Sequence, residues 1–381
     1  MQIETKLPRV GTTIFTVMSQ LALEHKAVNL GQGFPDFETP ASLRDALTRA
    51  MTDGKNQYAP MSGIPKLREQ IALQVERLYG RRISADTEVT VTSGATEAIF
   101  AAIACAVHPG DEVIVLDPCY DCYEPAIALA GGKAVHVPLR LPDFSVDWQR
   151  VRDEITPKTR MIMVNSPHNP SGAVFAEPDL DALAAIVAQH GLLVISDEVY
   201  EHIIYDGRVH LSVSRRPELA ERSFVISSFG KTWHCTGWKV GYCVAPKLLT
   251  AEFRKVHQYL TFCTFHPAQC AFAEVMESDP QHARDLAGFY QAKRDRFREL
   301  LAGSRFGLPE VRGGYFQLAD YSAIRDIDDL NFCEWMVREA GVAAIPVSAF
   351  YETAPDAKLV RFCFAKNDET LQSAAERLKN L

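Results

Sequence analysis

Six short runs of almost unbroken apolar, β-rich residues punctuate the chain: EVTVT (88–92), EVIVL (112–116), KAVHV (133–137), RMIMV (160–164), LLVIS (192–196) and FVISS (224–228). Between most of them lie patterns of helical period, such as ATEAIFAAIACAV (95–107) and EPDLDALAAIVAQHG (177–191). Strand and helix alternating in this way mark βαβ units. Continuous apolarity, in place of a strict apolar/polar alternation, means strands buried on both faces. The expected class is therefore α/β, a mainly parallel sheet between helices. After residue 281 the texture changes: the helical pattern HARDLAGFYQAKRDRFRELLAG (282–303) leads into PEVR, GYFQLAD and KLVRFCF, with helices expected at about 328–341 and 367–380. This predicts a smaller α+β domain. The N-terminal loop NLGQGFPDFETP has no sheet of its own and is expected to pack beside that domain. The predicted division is a large domain over 40–281 and a small one built from 1–39 and 282–381.

Composition narrows the function. At 47% hydrophobic and 23% charged, the 381 residues are ordinary globular usage. A formal charge of -8, with no clustered Lys/Arg stripe, argues against nucleic acid as a partner. No apolar run reaches bilayer length, and MQIETKLPRVGTTIFTVMSQ lacks the order of a signal peptide, so a cytoplasmic protein with no membrane partner is expected. Nine cysteines, an odd number, suit reduced thiols, and the Cys119/Cys122 pair reads as two small apolar side chains because no second pair follows at metal-binding distance. No metal site is expected.

The segment SSFGKTWHCTGWKVG (227–241) contains G-K-T, which poses a choice. A phosphate-binding P-loop needs a glycine five places before Gly230, and that place is Val225 inside a β-rich run. G-x-G-x-x-G fails as well, because GQGFPD has Asp36 at the third glycine and no strand before it. What remains for Lys231 is chemistry with its own amine, which requires a lysine at a strand end, partly removed from water. Other strands run into polar loops too: NSPHNPSG (165–172), DEVY (197–200) and SGATE (93–97). In an open parallel sheet such loops converge on one crevice.

Taken in order, NSPHNPSG, SDEVY, SFGKT and VRFCF (360–364) resemble the pyridoxal-phosphate aminotransferases of class I, fold type I, and the resemblance covers essentially the whole chain. NLGQGFPDF, DPCYDCYEP and GKTWHCTGWKVG are similar to the kynurenine and methionine aminotransferase branch, with the methionine side the nearer. The resemblance implies roles for particular residues. Lys231 bonds the aldehyde of pyridoxal 5'-phosphate and then moves the substrate's Cα proton. Asp197 pairs with the pyridine nitrogen, Tyr200 and Asn169 bond the ring's hydroxyl oxygen, and Tyr120 lies against the ring. Gly94, Ala95 and Thr96 present backbone N–H groups to the phosphate at a helix N-terminus, helped by Ser228 and Lys239. Lys239 stands where many relatives carry arginine. Tyr58 reaches the phosphate from a second subunit, which implies a homodimer with shared active sites.

For substrate, the resemblance implies that Arg361 grips the α-carboxylate, with Gly33 and Asn169 beside it. Ile14 and Phe15 line the side-chain pocket, and Phe265 and His266 reach in from the other subunit. Nothing matches the second arginine of the aspartate enzymes, so an apolar or aromatic amino acid is expected, methionine first, with a 2-oxo acid as acceptor. Thr96 stands where kynurenine aminotransferases often carry tyrosine. Two other functions fit parts of this pattern. A cysteine-conjugate β-lyase would use the same Lys231, Asp197 and Arg361, and a non-catalytic sensor is expected to carry an added DNA-binding domain before the N-terminal segment seen here.

Overall fold

The computed structural model of the chain describes residues 4–381. A two-residue strand β1 (Val28–Asn29) comes first. Then follow β2 (Val89–Thr92), β3 (Glu112–Asp117), β4 (Lys133–Pro138), β5 (Thr159–Asn165), β6 (Leu193–Asp197), β7 (Ser223–Ser228) and β8 (Gly241–Val244). These last seven form one sheet in the order β2-β8-β7-β6-β5-β3-β4. All neighbours are parallel except β8, which runs antiparallel to both β2 and β7. Six of the seven are the apolar runs expected from sequence. The seventh, β8, is four residues long and was not anticipated.

The apolarity of the strands has the cause inferred for it. In β3, Val113 and Val115 face one core while Ile114 and Leu116 face another. The same alternation separates Met161 and Met163 from Ile162 and Val164 in β5. One face is covered by the helix Ala95–Ala106 through Ala98, Ile99, Ala102 and Ile103. The other is covered by helices Pro65–Tyr79, Glu177–His190 and His266–Ser278. Successive side chains of a strand point to opposite faces, so a strand covered on both sides must be apolar throughout.

A second core gathers the helix Ile14–Glu24 with helices Gln281–Leu300, Asp329–Ala340 and Asp368–Leu378. The remaining strands are β9 (Phe316–Asp320), β10 (Val342–Ala343), β11 (Ile345–Pro346) and β12 (Leu359–Cys363). They give an antiparallel sheet β11-β12-β9 and a parallel pair β1-β10, so the N-terminal segment is hydrogen-bonded to residues near the C-terminus. PEVR forms no strand; only isolated bridges at Gly307 and Gly313 flank it. Tyr200, Ile203 and Tyr205, from the loop after β6, belong to this second core, which therefore meets the large sheet at the carboxyl end of its central strand.

The reversed β8 brings its first residue, Gly241, between Thr92 and Ser228. A Cβ there would lie 2.7 Å from the Ser227 carbonyl oxygen and 3.0 Å from the Ala95 nitrogen, both backbone atoms that cannot move aside. Gly241→Ala should cost about 1–3 kcal/mol in urea unfolding through this overlap. Gly288→Ala, in the helix Gln281–Leu300 with nothing within 4 Å, should instead be neutral or gain up to about 1 kcal/mol.

Candidate active site

The carboxyl ends of β3, β5, β6 and β7, the turn after β2 and the segment leading into β8 surround one cavity of about 420 Å³. Its wall includes Gly94, Ala95, Thr96, Tyr120, Asn169, Asp197, Tyr200, Ser228, Lys231 and Lys239 from the sheet side. Gly33, Phe15 and Arg361 complete it from the second core's side. The cavity lies where an open parallel sheet places its ligands.

At one end the turn Ser93–Gly94 starts the helix Ala95–Ala106. Gly94 has φ +81, a conformation that favours glycine, and a Cβ on it would lie 3.4 Å from Lys239 Nζ. Lys239 itself holds φ 53, which aims its ammonium back over the helix start. First-turn amides of a helix lack intrahelical acceptors, so amides, ammonium and the Ser228 hydroxyl together make an anion site.

At the other end sits Asp197, buried. Its Oδ2 accepts from the Tyr123 hydroxyl at 2.6 Å, and its backbone carbonyl accepts from Asn165 Nδ2 at 2.8 Å. Burial pushes this carboxyl upward, against the pull of the Tyr123 bond and Lys231. A cationic ring nitrogen would reverse that penalty. Tyr200 is buried beside it, and burial holds its phenol well above the ordinary range.

Lys231 stands between these ends, half-buried just beyond β7. Its Nζ donates to the Tyr315 hydroxyl at 2.9 Å and lies 3.5 Å from the Gly33 carbonyl. Removal from water pulls its pKa down to about 8, with Asp197 among the groups opposing the fall.

Arg361, in the centre of β12, is 1% exposed. Its Nη1 donates to Asn169 Oδ1 at 2.9 Å and its Nη2 to the Gly31 carbonyl at 2.8 Å. Nε is buried without a partner. The guanidinium lies 4.0 Å from the Phe316 ring centroid, with Phe350 and Phe15 at 5.2 and 5.3 Å. These contacts are to an amide, a carbonyl and aromatic faces, none of them an anion. A desolvated cation in that state is costly, and a carboxylate entering the cavity relieves the cost.

Some expected residues lie elsewhere. Ile14 lines a neighbouring cleft of about 300 Å³ with Phe350 and Tyr351, while Thr13 and Phe15 face the main cavity. Tyr58, Phe265 and His266 lie outside the cavity of a single chain. Tyr58 is 82% exposed and touches Phe262, and His266 Nδ1 lies 2.9 Å from the Gln57 carbonyl. Thr96 is exposed at the helix start. Cys119 and Cys122 are free thiols pushed upward by burial, and the Sγ of Cys119 lies within 4.8 Å of ligand atoms of Asp117 and His136.

Sequence reasoning missed Tyr315, Tyr123, Asn165, Asp121, Thr236 and Phe316. Asn165 and Tyr123 stand inside motifs quoted above, where adjacency to the strand ends was their only signal. Tyr315 and Phe316, in GYFQLAD, carried none.

The family model "Aminotransferase class I and II" matches residues 25–378. The chain belongs to this family. It is 52% identical over 378 residues to the methionine aminotransferase of Escherichia coli, covering 99% of this chain and 98% of that one. A solved E. coli structure described as having a methionine aminotransferase function matches at TM-score 0.98 and 51% identity, with all of both chains covered. The N-succinyldiaminopimelate aminotransferase structure from Mycobacterium tuberculosis matches at 0.96 and 41%, again over both whole chains. The chain is thus a fold type I transaminase whose cofactor is pyridoxal 5'-phosphate. The residues present fit that group: an anion site, a carboxylate for a cationic ring, and an amine between them. Among the described residues no helix is long and apolar enough to cross a membrane.

In the cofactor-free protein, acylation of Lys231 by acetic anhydride, followed by mass spectrometry against pH, should be half-maximal near 8. Exposed lysines should follow a midpoint near about 10.4. A Lys231 midpoint among the exposed lysines would show that the amine is not desolvated.

Proposed function

We propose that this transaminase takes its amino group from L-methionine and related apolar or aromatic L-amino acids, and passes it to a 2-oxo acid. The observation that carries the reading is Arg361, a buried guanidinium without an anion, facing Lys231 across the cavity. The cations on the cavity wall are Lys231, Lys239 and Arg361, and the acid beside Tyr120 is Asp121. With those cations committed to the amine chemistry, the cofactor phosphate and the α-carboxylate, a second substrate carboxylate has no partner. Phe15, Phe34, Tyr120 and Phe316 suit a neutral side chain instead. Methionine leads because of the 52% identical relative.

Pyridoxal 5'-phosphate, when bound, supplies an aldehyde for the amino group and a ring that accepts the electrons released at Cα. The chain supplies the rest. Arg361 and Asn169 would orient the α-carboxylate beside the Gly33 backbone, and Lys231 Nζ would take the Cα proton and return it on the far side of the nitrogen, at the carbon that was the aldehyde's. Asp197 would keep the ring nitrogen protonated. Tyr200 and Asn169 would hold the ring oxygen, and Tyr120 would lie against the ring. Gly94, Ala95, Thr96, Ser228 and Lys239 would anchor the phosphate.

The assembly we infer is a homodimer in which Tyr58, Phe265 and His266 complete the partner's site. Their support is the exposure of Tyr58, Phe262 and Phe265 on one aromatic surface outside the chain's own cavity. We read 40–281 as the large domain, 1–39 with 282–381 as the small one, and the cytoplasm as its compartment.

Purified holoenzyme given excess L-methionine and no acceptor should convert to the pyridoxamine form with one oxo acid per site. Ammonia release would instead favour β-lyase chemistry, and conversion only with kynurenine would move the donor. Lys231→Ala should abolish the holoenzyme's visible absorbance and turnover. Arg361→Ala should keep the cofactor but weaken amino-acid binding by about 2–4 kcal/mol, read from KM in the half-reaction. Unchanged KM would remove Arg361 from substrate binding. Mixed dimers of Lys231→Ala and Tyr58→Ala should be more active than either parent, which separate sites would not allow.

A further inference from the structure

The proton chemistry read above needs the Lys231 amine neutral and aimed, yet a lysine ammonium rotates freely about its last bond. Tyr315 is placed to stop that rotation. It has no exposed surface and lies behind Lys231, outside the cavity wall. Its hydroxyl donates to the Gly33 carbonyl at 2.7 Å and accepts from Lys231 Nζ at 2.9 Å. The ring is itself held, edge-on to Tyr200 at 5.1 Å and to Phe316 at 4.9 Å.

A phenol has one proton, and here Gly33 receives it. Toward Lys231 the oxygen therefore presents only a lone pair. The Lys231 amine donates an N–H to Tyr315, and the Gly33 carbonyl lies 3.5 Å away on the same side of Nζ. Both oxygens lie on one side of Nζ, and the other side of the amine is left toward the cavity. Burial keeps the phenol protonated.

We propose that Tyr315 is a positioning residue for transamination, holding the Lys231 amine from behind with its free side toward the substrate while tying it to the Gly33 backbone beside Arg361. When the Cα–H bond breaks, the N–H bond forms at Nζ and the electron pair stays with substrate and cofactor; Tyr315 neither gains nor loses a proton. The inference rests on Lys231 being the cofactor lysine, as read under Proposed function.

Tyr315→Phe removes one oxygen and keeps the ring, and its thermal midpoint would verify folding. In the holoenzyme it should lower kcat of the methionine half-reaction about 10- to 100-fold, with KM and cofactor affinity within about twofold of wild type. In the cofactor-free variant, the Lys231 acylation profile should move to lower pH, because the ammonium loses an acceptor. An unmoved profile with unchanged kcat overturns the proposal. So does a parallel loss of kcat, substrate binding and cofactor affinity, which would mark general damage. Borohydride reduction of wild-type holoenzyme and peptide mapping separates the two readings. Cofactor on another lysine defeats the site assignment and this proposal together, whereas cofactor on Lys231 with unaltered Tyr315→Phe kinetics defeats the proposal alone.

Discussion

The loop leaving β6 buries three carboxylates within five residues, Asp197, Glu198 and Glu201, and the site depends on how each is satisfied. Glu198 accepts from Ser196 Oγ at 2.7 Å and the Val213 amide at 3.1 Å, and lies 2.8 Å from His210 Nε2. Glu201 accepts from the hydroxyls of Tyr79, Ser227 and Tyr242. Burial alone would raise its pKa, but His202 and those hydroxyls outweigh burial and leave it lowered. Because buried carboxylates are tolerated only with such partners, the helix Pro65–Tyr79, β7 and β8 are all drawn to this loop. The result fixes the backbone on both sides of Asp197 and Tyr200. Asp197 differs from its neighbours in having one hydroxyl and one long amide contact, at 2.6 and 3.4 Å, and in facing the cavity. Its incomplete satisfaction is what a cationic ring answers.

The cavity repeats that arrangement with opposite sign. Three cations line it, and its acids are Asp197 and Asp121. Each cation sits at a different end: Lys239 over the helix start, Lys231 behind the centre, Arg361 against Phe316. An anion placed at the helix start and a carboxylate placed at Arg361 would offset the cations at those two places. On the proposed reading, the cofactor phosphate and the substrate's α-carboxylate would be that pair of anions.

How much of this was legible follows from range. Five of the six strands showed because they are buried on both faces, a condition written in contiguous residues, and β4, at the sheet edge and only partly buried, showed by its β-rich run alone. β8 did not, since four residues such as GYCV carry too little pattern and its reversal is set by contacts with strands far away in the chain. The cavity residues that the motifs carry follow strand ends, where sequence position nearly fixes spatial position. Tyr123 and Tyr315 act on Asp197 and Lys231 across 74 and 84 residues; nearness to the end of β3 is the only local signal of Tyr123, and Tyr315 has none. Ile14 was placed one cleft away from its expected position because its neighbours Thr13 and Phe15 take the two positions that face the cavity at the start of the helix Ile14–Glu24.

The same reasoning limits what the backbone can decide about substrate. A match of 0.98 to a structure with methionine aminotransferase function and of 0.96 to one named for N-succinyldiaminopimelate leaves the chain trace nearly constant while the donors in their names differ. Donor choice therefore belongs to a few side chains beyond Arg361. Here they are aromatic, and one of them, Phe15, also stacks edge-on against Phe350 at 5.9 Å. A methylene more or less in such a pocket changes preference by only about 1–3 kcal/mol. A misplaced carboxylate costs more, because it would be desolvated opposite Asp121 without a cation to meet it. Such a pocket would reject charge more strongly than it would measure size, in keeping with the proposed preference for neutral side chains.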